Sequence, residues 1–276
     1  MSLPPDTADH VELLAITRLT AAYFRGELRP SEAPAHYATD ASQAEHNPAE
    51  APPVYAPPPP HSETRRVNAE SAVVAPRGAS TSHSESAPGE RAEALERLRA
   101  SFANCALCAI AKDRHNLVFG QGNPRARLMI IGEGPGEQED LQGIAFCGPS
   151  GELLTKMLRA IGLSRDEVYI ANIIKCRPPR NRNPLPEEVA HCRPFLDKQI
   201  DIIQPALICL AGGVAAKTLL DTQVGIMRLR GTMQEYRGIP VVPTYHPSFL
   251  LRDPRQKRSA WEDMQLIQRI LNEGGK

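Results

Sequence analysis

The chain has 276 residues, of which 41% are hydrophobic and 26 are prolines, enough apolar material for one good core in one large or two small domains. It contains no run of 18 or more apolar residues, which excludes a membrane-spanning helix. The N-terminus lacks the basic and apolar regions of a secretory leader, so we expect a cytoplasmic protein.

The formal net charge of zero is divided unevenly along the chain. Residues 1–90 carry 6 Arg and no Lys against 12 acidic residues, a net charge of −6, so the remainder carries +6. A basic folded part behind an acidic extension fits a polyanionic partner, but many solvated domains carry such a charge. Charge alone therefore does not identify the partner.

The N-terminal third is predicted to hold little folded structure. Residues 1–29 include apolar positions at helical spacing over 9–28, which predicts a short amphipathic helix that could dock on a replication or repair partner. Residues 30–89 are rich in Pro, Ala, Ser and Glu. Such a segment cannot bury enough apolar surface to offset its ordering entropy, so we predict a disordered linker.

From residue 90 onward, apolar runs of strand length alternate with helical patterns. The predicted helices cover 90–102, 149–162, 186–203, 214–220 and 261–271, and the predicted strands cover 128–131, 168–174, 206–210 and 241–244. Alternation of this kind is typical of parallel sheets with helical crossovers. We predict that residues 90–276 form a three-layer α/β/α domain with a central, mostly parallel, four-stranded sheet.

The loop after the first predicted strand carries the most chemistry. It begins with closely spaced glycines and continues through four acids to an aromatic ring, namely Glu133, Glu137, Glu139, Asp140 and Phe146. In open α/β sheets, ligands bind beyond the carboxyl ends of strands. Four acids would repel phosphate, and no Lys-Ser/Thr pair follows the glycines, which excludes a phosphate loop. A ligand site and a plain solvated turn both fit this loop taken alone.

Six cysteines occupy positions 105, 108, 147, 176, 192 and 209. A cytoplasmic setting favours metal binding over disulfides, and Cys105-x-x-Cys108 is a spacing at which two thiolates reach one metal centre. With Cys176 and Cys192 they can complete a four-cysteine site, whereas Cys209, inside an apolar strand, is predicted to be a core residue. Spacing does not separate zinc from an iron–sulfur cluster. A lone CxxC motif beside unrelated buried cysteines is a third reading.

Taken together, the motifs from about residue 105 to 271 resemble the family 4 uracil-DNA glycosylases. The matching stretches are Gly-Glu133-Gly-Pro-Gly-Glu-Gln-Glu139-Asp, Gly143-Ile-Ala-Phe146, Gly148-Pro-Ser-Gly151, Ile170-Ala-Asn172-Ile-Ile-Lys-Cys176-Arg-Pro-Pro and His246-Pro-Ser-Phe-Leu-Leu-Arg252. Each is moderately specific, and their order together with the cysteine spacing is highly specific. The resemblance implies hydrolysis of the N-glycosidic bond of uracil in single- and double-stranded DNA. It also favours a structural [4Fe–4S] cluster over zinc at Cys105, Cys108, Cys176 and Cys192.

A glycosylase must take its base out of the stack before it can reach the glycosidic bond. Phe146 is the candidate ring for stacking on uracil, and the Asn172 amide can accept from N3–H and donate to O4. Gly134 lets the backbone approach the base. The resemblance implies that Glu139 lies near the C5 edge, where the methyl group of thymine must be excluded.

Two residues are predicted to act on the breaking bond. Glu133 positions and polarises the attacking water, and His246, neutral or protonated, donates a hydrogen bond to uracil O2 as charge develops there. The following segment suits a wedge that fills the hole left by the flipped base, with Leu250 and Leu251 in the stack and Arg252 on phosphate. A helix that packs both leucines on the core is the alternative.

We predict a monomeric, monofunctional glycosylase without lyase activity, because no lysine is expected in the pocket to form a Schiff base. The chief alternative is a non-catalytic, metal- or cluster-stabilised module that binds DNA or a polymerase. Binding alone needs neither Glu133 nor His246, which argues against that module. A glycosylase for another deaminated base is a second alternative, which the Asn172 pattern disfavours.

Overall fold

A computed structural model describes residues 89–273 of the chain. The helix predicted within residues 1–29 and the linker predicted over 30–89, Gly89 apart, lie outside the described residues. Within residues 89–273, no helix is both long and apolar enough to cross a membrane.

Helices and strands alternate along the described chain, as the sequence predicts. The helices are α1 (Glu90–Phe102), α2 (Glu137–Gln142), α3 (Pro149–Ala160), α4 (Pro186–Ile203), α5 (Gly213–Leu219), α6 (Ile226–Leu229), α7 (Pro247–Arg252) and α8 (Lys257–Glu273). The strands are β1 (Gln121–Gly122), β2 (Leu128–Gly132), β3 (Tyr169–Asn172), β4 (Leu207–Ala211), β5 (Gln234–Tyr236) and β6 (Ile239–Thr244).

The described strands form one sheet of six strands in the order β1-β3-β2-β4-β6-β5. The four predicted strands are its parallel centre, β3-β2-β4-β6, and the two edge strands pair antiparallel to it. The predicted count of four strands is therefore wrong. The two missed strands have two and three residues, none of them buried, so neither gives an apolar run in the sequence.

The sheet is buried on both faces, which confirms the three-layer α/β/α prediction. Alternate side chains of β2 enter different hydrophobic clusters, with Leu128 and Ile130 on one face and Met129 and Ile131 on the other. Helices α3 and α8 cover the first face, and α1 and α4 cover the second. Cys209 lies in β4 and is buried, as predicted for a core residue.

The carboxyl ends of the parallel strands lie side by side. Gly132 at the end of β2 is opposite Asn172 at the end of β3, and Ala211 at the end of β4 is opposite Thr244 at the end of β6. Since the four strands run in the same direction, the loops that follow them gather at one edge of the sheet. These loops carry Glu133 and His246.

A buried ion pair fixes the end of β6, two residues before His246. The Asp263 carboxylate on α8 is completely buried and accepts from Arg230 Nη2 at 2.9 Å and from Arg230 Nε at 3.1 Å. It also accepts a hydrogen bond from the Thr244 hydroxyl at 2.7 Å. This network ties α8 and the segment after α6 to the last residue of β6.

We expect Arg230→Met to lower the free energy of unfolding by about 3–5 kcal/mol, because it leaves the Asp263 charge buried and uncompensated. Urea denaturation at neutral pH measures this difference.

The matched control is Arg237→Met. Arg237 pairs with Asp201 at 2.6 Å, but 47% of the Arg237 side chain and 54% of the Asp201 side chain are exposed. An exposed pair contributes less than about 1 kcal/mol. Equal losses in the two variants would contradict a stabilising role for the buried pair.

Candidate active site

A cavity of about 710 Å³ opens beyond the carboxyl ends of the parallel strands. The sequence-predicted residues that line it are Glu133, Gly134, Glu139, Phe146, His246 and Arg252. The structure therefore brings together candidates that are separated by more than a hundred positions in the chain.

Asn172 lies at the end of β3 and is 2% exposed. Its side-chain oxygen has no hydrogen-bond partner among residues 89–273. An unsatisfied polar atom away from water is costly, so such atoms are rare in folded proteins and point to a missing partner. The Asn172 oxygen is thus a buried acceptor without a partner in the described part of the chain, and Asn172 itself is not among the residues that line the cavity.

Gly132 lets Asn172 and the Phe146 ring come close together. A Cβ atom at Gly132 would lie 2.4 Å from Asn172 Oδ1 and 2.6 Å from Phe146 Cζ, so no other residue fits without displacing both groups. The Phe146 ring is 3% exposed and belongs to the core while also lining the cavity. Its centroid is 5.5 Å from that of the His246 ring.

The Phe146 backbone has a φ of 52°, in the left-handed region that non-glycine residues seldom adopt. Such strain persists only where the surrounding structure enforces it, and it is common at functional sites. The ring is therefore held at the cavity by a local backbone conformation of low intrinsic stability.

Glu133 follows β2 directly and lines the cavity half-buried. Burial raises the pKa of its carboxyl, because a charge is less stable away from water. Its main-chain oxygen accepts from the Ile174 amide at 3.2 Å, which fixes the backbone. The structure shows no ion pair or hydrogen bond that engages its carboxylate within residues 89–273, so the group is available to a water molecule.

His246 has a defined tautomer. Its Nδ1 accepts a hydrogen bond from the Ser248 main-chain N–H at 3.1 Å and lies 2.7 Å from the Ser248 hydroxyl oxygen. Since Nδ1 is an acceptor, the ring proton is on Nε2. Burial, together with the positive charge of Arg252, lowers the pKa of His246 to about 4. At neutral pH the ring is therefore a neutral Nε2–H donor.

Glu139 lines the cavity but is already engaged. Its Oε2 accepts from the Gly136 main-chain N–H at 2.5 Å at the start of α2. Burial raises the pKa of its carboxyl, and hydrogen bonds from main-chain N–H groups, including that of Phe146, oppose this rise. Glu139 thus holds both the start of α2 and the Phe146 backbone.

Asp140, one of the four acids of the loop after β2, is 1% exposed. Its carboxylate accepts from the His115 and Asn116 main-chain N–H groups at 3.0 and 3.3 Å. These hydrogen bonds connect helix α2 to the start of the loop that precedes β1.

The two leucines predicted to form a wedge lie on different sides of helix α7. Leu250 is completely buried in the hydrophobic cluster that α3 and α8 also enter, so its assignment to DNA is wrong. Leu251 is 45% exposed and precedes Arg252, which lines the cavity. The alternative reading of a core-packed helix holds for Leu250 and not for Leu251.

The four predicted metal-site cysteines pack together beside the second face of the sheet. Burial raises the pKa of the Cys176 thiol, and the charges of Cys108 and Cys105 raise it further. Burial likewise raises the pKa of Cys192 to about 11, and Cys176 and Cys108 add to this. Since each acts electrostatically on others of the set, the four thiols are neighbours. Among residues 89–273, no three Cys, His, Asp or Glu side chains are placed to hold a single metal ion.

Comparison with known proteins identifies the family. The sequence model described as "Uracil DNA glycosylase superfamily" matches residues 119–265. A type-4 uracil-DNA glycosylase of Thermotoga maritima is 41% identical over 189 residues, which cover 67% of this chain and 98% of that protein. The chain belongs to the uracil DNA glycosylase superfamily.

Within this superfamily, the type-4 proteins are the more similar ones. The type-4 uracil-DNA glycosylase of Archaeoglobus fulgidus is 38% identical over 63% of this chain and 92% of that protein. A type-5 uracil-DNA glycosylase of Pyrobaculum aerophilum is 31% identical over 46% of this chain and 63% of that protein. The predicted resemblance to family 4 is confirmed.

Three contributions to this glycosylase fold's site were not predicted from the sequence. Ser248 sets the His246 tautomer. The feature of the sequence that could have revealed this role is the position of Ser248 two residues after His246, which caps α7. Lys217 of α5 lines the outer cavity, although no lysine was expected there. Lys175, three residues after the end of β3, is completely buried.

The His246 assignment predicts a titration. In the ¹⁵N spectrum of histidine-labelled protein, His246 should be the neutral Nε2–H tautomer at pH 7 and titrate at about 4. Because this pKa lies below the ordinary value of 6.5, His246 takes up its proton at a higher pH in the unfolded chain than in the folded one. The free energy of unfolding should therefore decrease as the pH falls from 6.5 towards 4.

Arg252→Gln should raise the His246 pKa by removing a like charge, whereas Arg255→Gln should leave it unchanged. Arg255 is fully exposed and pairs with Asp253 at 2.8 Å. A His246 that titrates near 6.5 in the unmodified protein would contradict the buried neutral ring.

Proposed function

We propose that this chain is a DNA-repair enzyme that hydrolyses the N-glycosidic bond of uracil in single- and double-stranded DNA and leaves an abasic site. The type-4 names of its relatives support this. The observation that carries the proposal is the buried, unpartnered Asn172 oxygen beside a cavity that also holds Glu133 and a neutral His246.

Uracil presents an N3–H donor beside an O4 acceptor, and cytosine presents the reverse. The Asn172 side chain accepts from N3–H through its oxygen and donates to O4 through its NH₂ group. A cytosine in the same place leaves two polar groups unsatisfied, at a cost of roughly 1–3 kcal/mol each. One buried amide therefore discriminates strongly between the two bases.

The bond-breaking step needs opposite charges at its two ends. As the C1′–N1 bond breaks, its electron pair leaves with uracil and positive charge develops on the sugar. The Glu133 carboxylate holds the attacking water, stabilises the sugar cation and accepts the water proton. His246 donates from Nε2 to uracil O2, where negative charge develops. The hydroxyl of the water forms the new bond to C1′.

Phe146, Gly134 and Glu139 shape the base pocket in this proposal. The Phe146 ring stacks on uracil, and the Gly134 backbone lies against the base. A side chain at Gly134 would press on Ile174, with Cβ 2.7 Å from Ile174 Cγ1. Glu139 borders the C5 edge and, through its hydrogen bonds to main-chain N–H groups, keeps the pocket too narrow for a methyl group.

The mouth of the cavity is basic and suits the DNA backbone. Arg252, Arg182 and Lys217 line it, and we propose that Arg252 and Lys217 bind phosphate, since Arg182 is already paired with Glu188. We propose that Leu251 fills the gap left by the flipped base. Lys217 lines the same cavity as Glu133 and His246 but is exposed to solvent. We propose that it binds phosphate and forms no Schiff base, so that the enzyme is monofunctional.

We further propose a [4Fe–4S] cluster at Cys105, Cys108, Cys176 and Cys192. The donor set fits, because thiolates are the usual ligands of such clusters and the four thiols are neighbours. When bound, the cluster would act as a structural crosslink between the segments after α1 and β3 and helix α4. The predicted partner for residues 1–29 and the monomeric state stay predictions.

The deciding experiment measures uracil release from a uracil-containing oligonucleotide by anaerobically purified protein, with the visible spectrum recorded on the same sample. Release by a brown protein supports both function and cofactor, and Glu133→Gln should lower the single-turnover rate about 100-fold or more at unchanged DNA affinity. A colourless protein that binds DNA without cutting it would favour the non-catalytic binding module.

The pH dependence separates the two catalytic groups. Because burial raises the Glu133 pKa, the single-turnover rate should fall on the acid side at a pH above the ordinary carboxyl value of 4.5. This acid limb should persist in His246→Gln and vanish from the residual activity of Glu133→Gln. An acid limb that disappears in His246→Gln would assign the titration to the imidazole instead.

The two leucines of α7 should respond differently to truncation. Leu251→Ala should slow uracil release from double-stranded DNA about tenfold and leave single-stranded DNA nearly unaffected, because only a duplex has a hole to fill. Leu250→Ala should instead lower the free energy of unfolding by about 2–5 kcal/mol. Kinetics on matched duplex and single-stranded oligonucleotides, with urea denaturation of both variants, tests this contrast.

A further inference from the structure

Lys175 is a completely buried lysine between the uracil pocket and the cysteines. Its Nζ donates to the main-chain oxygen of Asn172 at 2.8 Å and to Gln199 Oε1 at 2.6 Å. Neither of these partners carries a charge. A buried ammonium ion is costly unless an anion or a full set of acceptors compensates it.

The titratable group that faces Lys175 is the Cys192 thiol. Burial lowers the pKa of Lys175 to about 7, the charge of Cys192 opposes this change, and the Lys175 main-chain N–H donates to the Cys192 sulfur. Cys176 is the next residue in the chain. A thiolate-bound centre at these cysteines would place negative charge beside the completely buried Lys175 ammonium group.

The other end of the network reaches the base-reading residue. Gln199, on the same helix as Cys192, donates from Nε2 to the Phe119 main-chain oxygen at 2.9 Å and to the Tyr169 hydroxyl at 3.2 Å. Lys175 thus donates one hydrogen bond to Gln199 of α4 and another to the Asn172 carbonyl. The position of that carbonyl sets where the Asn172 side chain stands beside the pocket.

We propose that Lys175 is a positioning residue that couples the cysteine-bound centre to uracil recognition. Its ammonium ion balances the charge of that centre and fixes the Asn172 backbone, so that loss of the centre loosens the base-reading amide. This inference rests on the proposed function and adds to it a link between two sites that the reaction itself does not require.

The test uses the full-length chain and the substitution Lys175→Met, which removes the charge and keeps an unbranched side chain. Two affinities are compared: for DNA with a 2′-fluoro-deoxyuridine, which resists hydrolysis, and for DNA with a tetrahydrofuran abasic analogue, which has no base. The ratio of the two should fall about tenfold, because only the first DNA uses Asn172. The visible absorbance of the variant should also decay several-fold faster in air with a chelator.

Lys198→Met is the matched control, because Lys198 lies on the same helix next to Gln199 and is exposed. Its affinity ratio and its absorbance decay should equal those of the unmodified protein. Gln199→Met retains the ammonium ion but removes its anchor, so it should lower the affinity ratio without hastening the decay.

The outcomes separate the inference from the proposed function. An unmodified protein that releases no uracil would refute the proposed function. If it releases uracil while Lys175→Met behaves like Lys198→Met in both measurements, only the coupling by Lys175 is refuted. If Lys175→Met does not fold, an unchanged affinity ratio in Gln199→Met overturns the positioning role.

Discussion

The parallel pairing of β2 with β3 is the constraint on which the site depends. It sets Gly132 opposite Asn172, and the absence of a side chain at Gly132 lets the amide and the Phe146 ring occupy the same small space. Glu133 then emerges from the next position of the chain. The distance between Asn172 and Glu133 is thus fixed by backbone hydrogen bonds in the sheet, which are far stiffer than a loop.

The same low-polarity surroundings act on Glu133 and His246. Burial raises the pKa of Glu133 and lowers that of His246, so both changes favour the neutral form. In the proposed reaction, neutrality is useful for His246, because the ring needs only one proton to donate at Nε2. In the same proposal, positive charge that develops on the sugar offsets the cost of charging Glu133.

The sequence was sufficient for the central strands and for the helices that cover them, because four apolar runs alternate with helical patterns. It did not reveal β1 or β5, whose few residues are stabilised by pairing at the sheet edges rather than by burial of their own side chains. The candidate residues of the pocket came from motifs that follow strand ends. Their roles at the atomic level did not, because the His246 tautomer and the Glu139 hydrogen bonds depend on main-chain N–H groups.

Charge type alone was misleading for Lys175 and Asp140. Both are polar residues that sequence rules place at the surface, yet the fold buries each of them and supplies it with hydrogen-bond partners. The leucine pair of α7 was ambiguous for a related reason: adjacent residues on a short helix point about 100° apart, so they cannot share one role.

The number of residues in helix α7 is constrained by what its residues contact. His246 caps its start, Leu250 anchors it in the core, and Leu251 and Arg252 face outward. One inserted residue between His246 and Leu250 would rotate everything after it by about 100° around the helix axis. The core would then receive a different side chain, and the outward pair would turn from the cavity mouth. Related chains can therefore exchange residue types in this segment far more readily than they can change its number of residues.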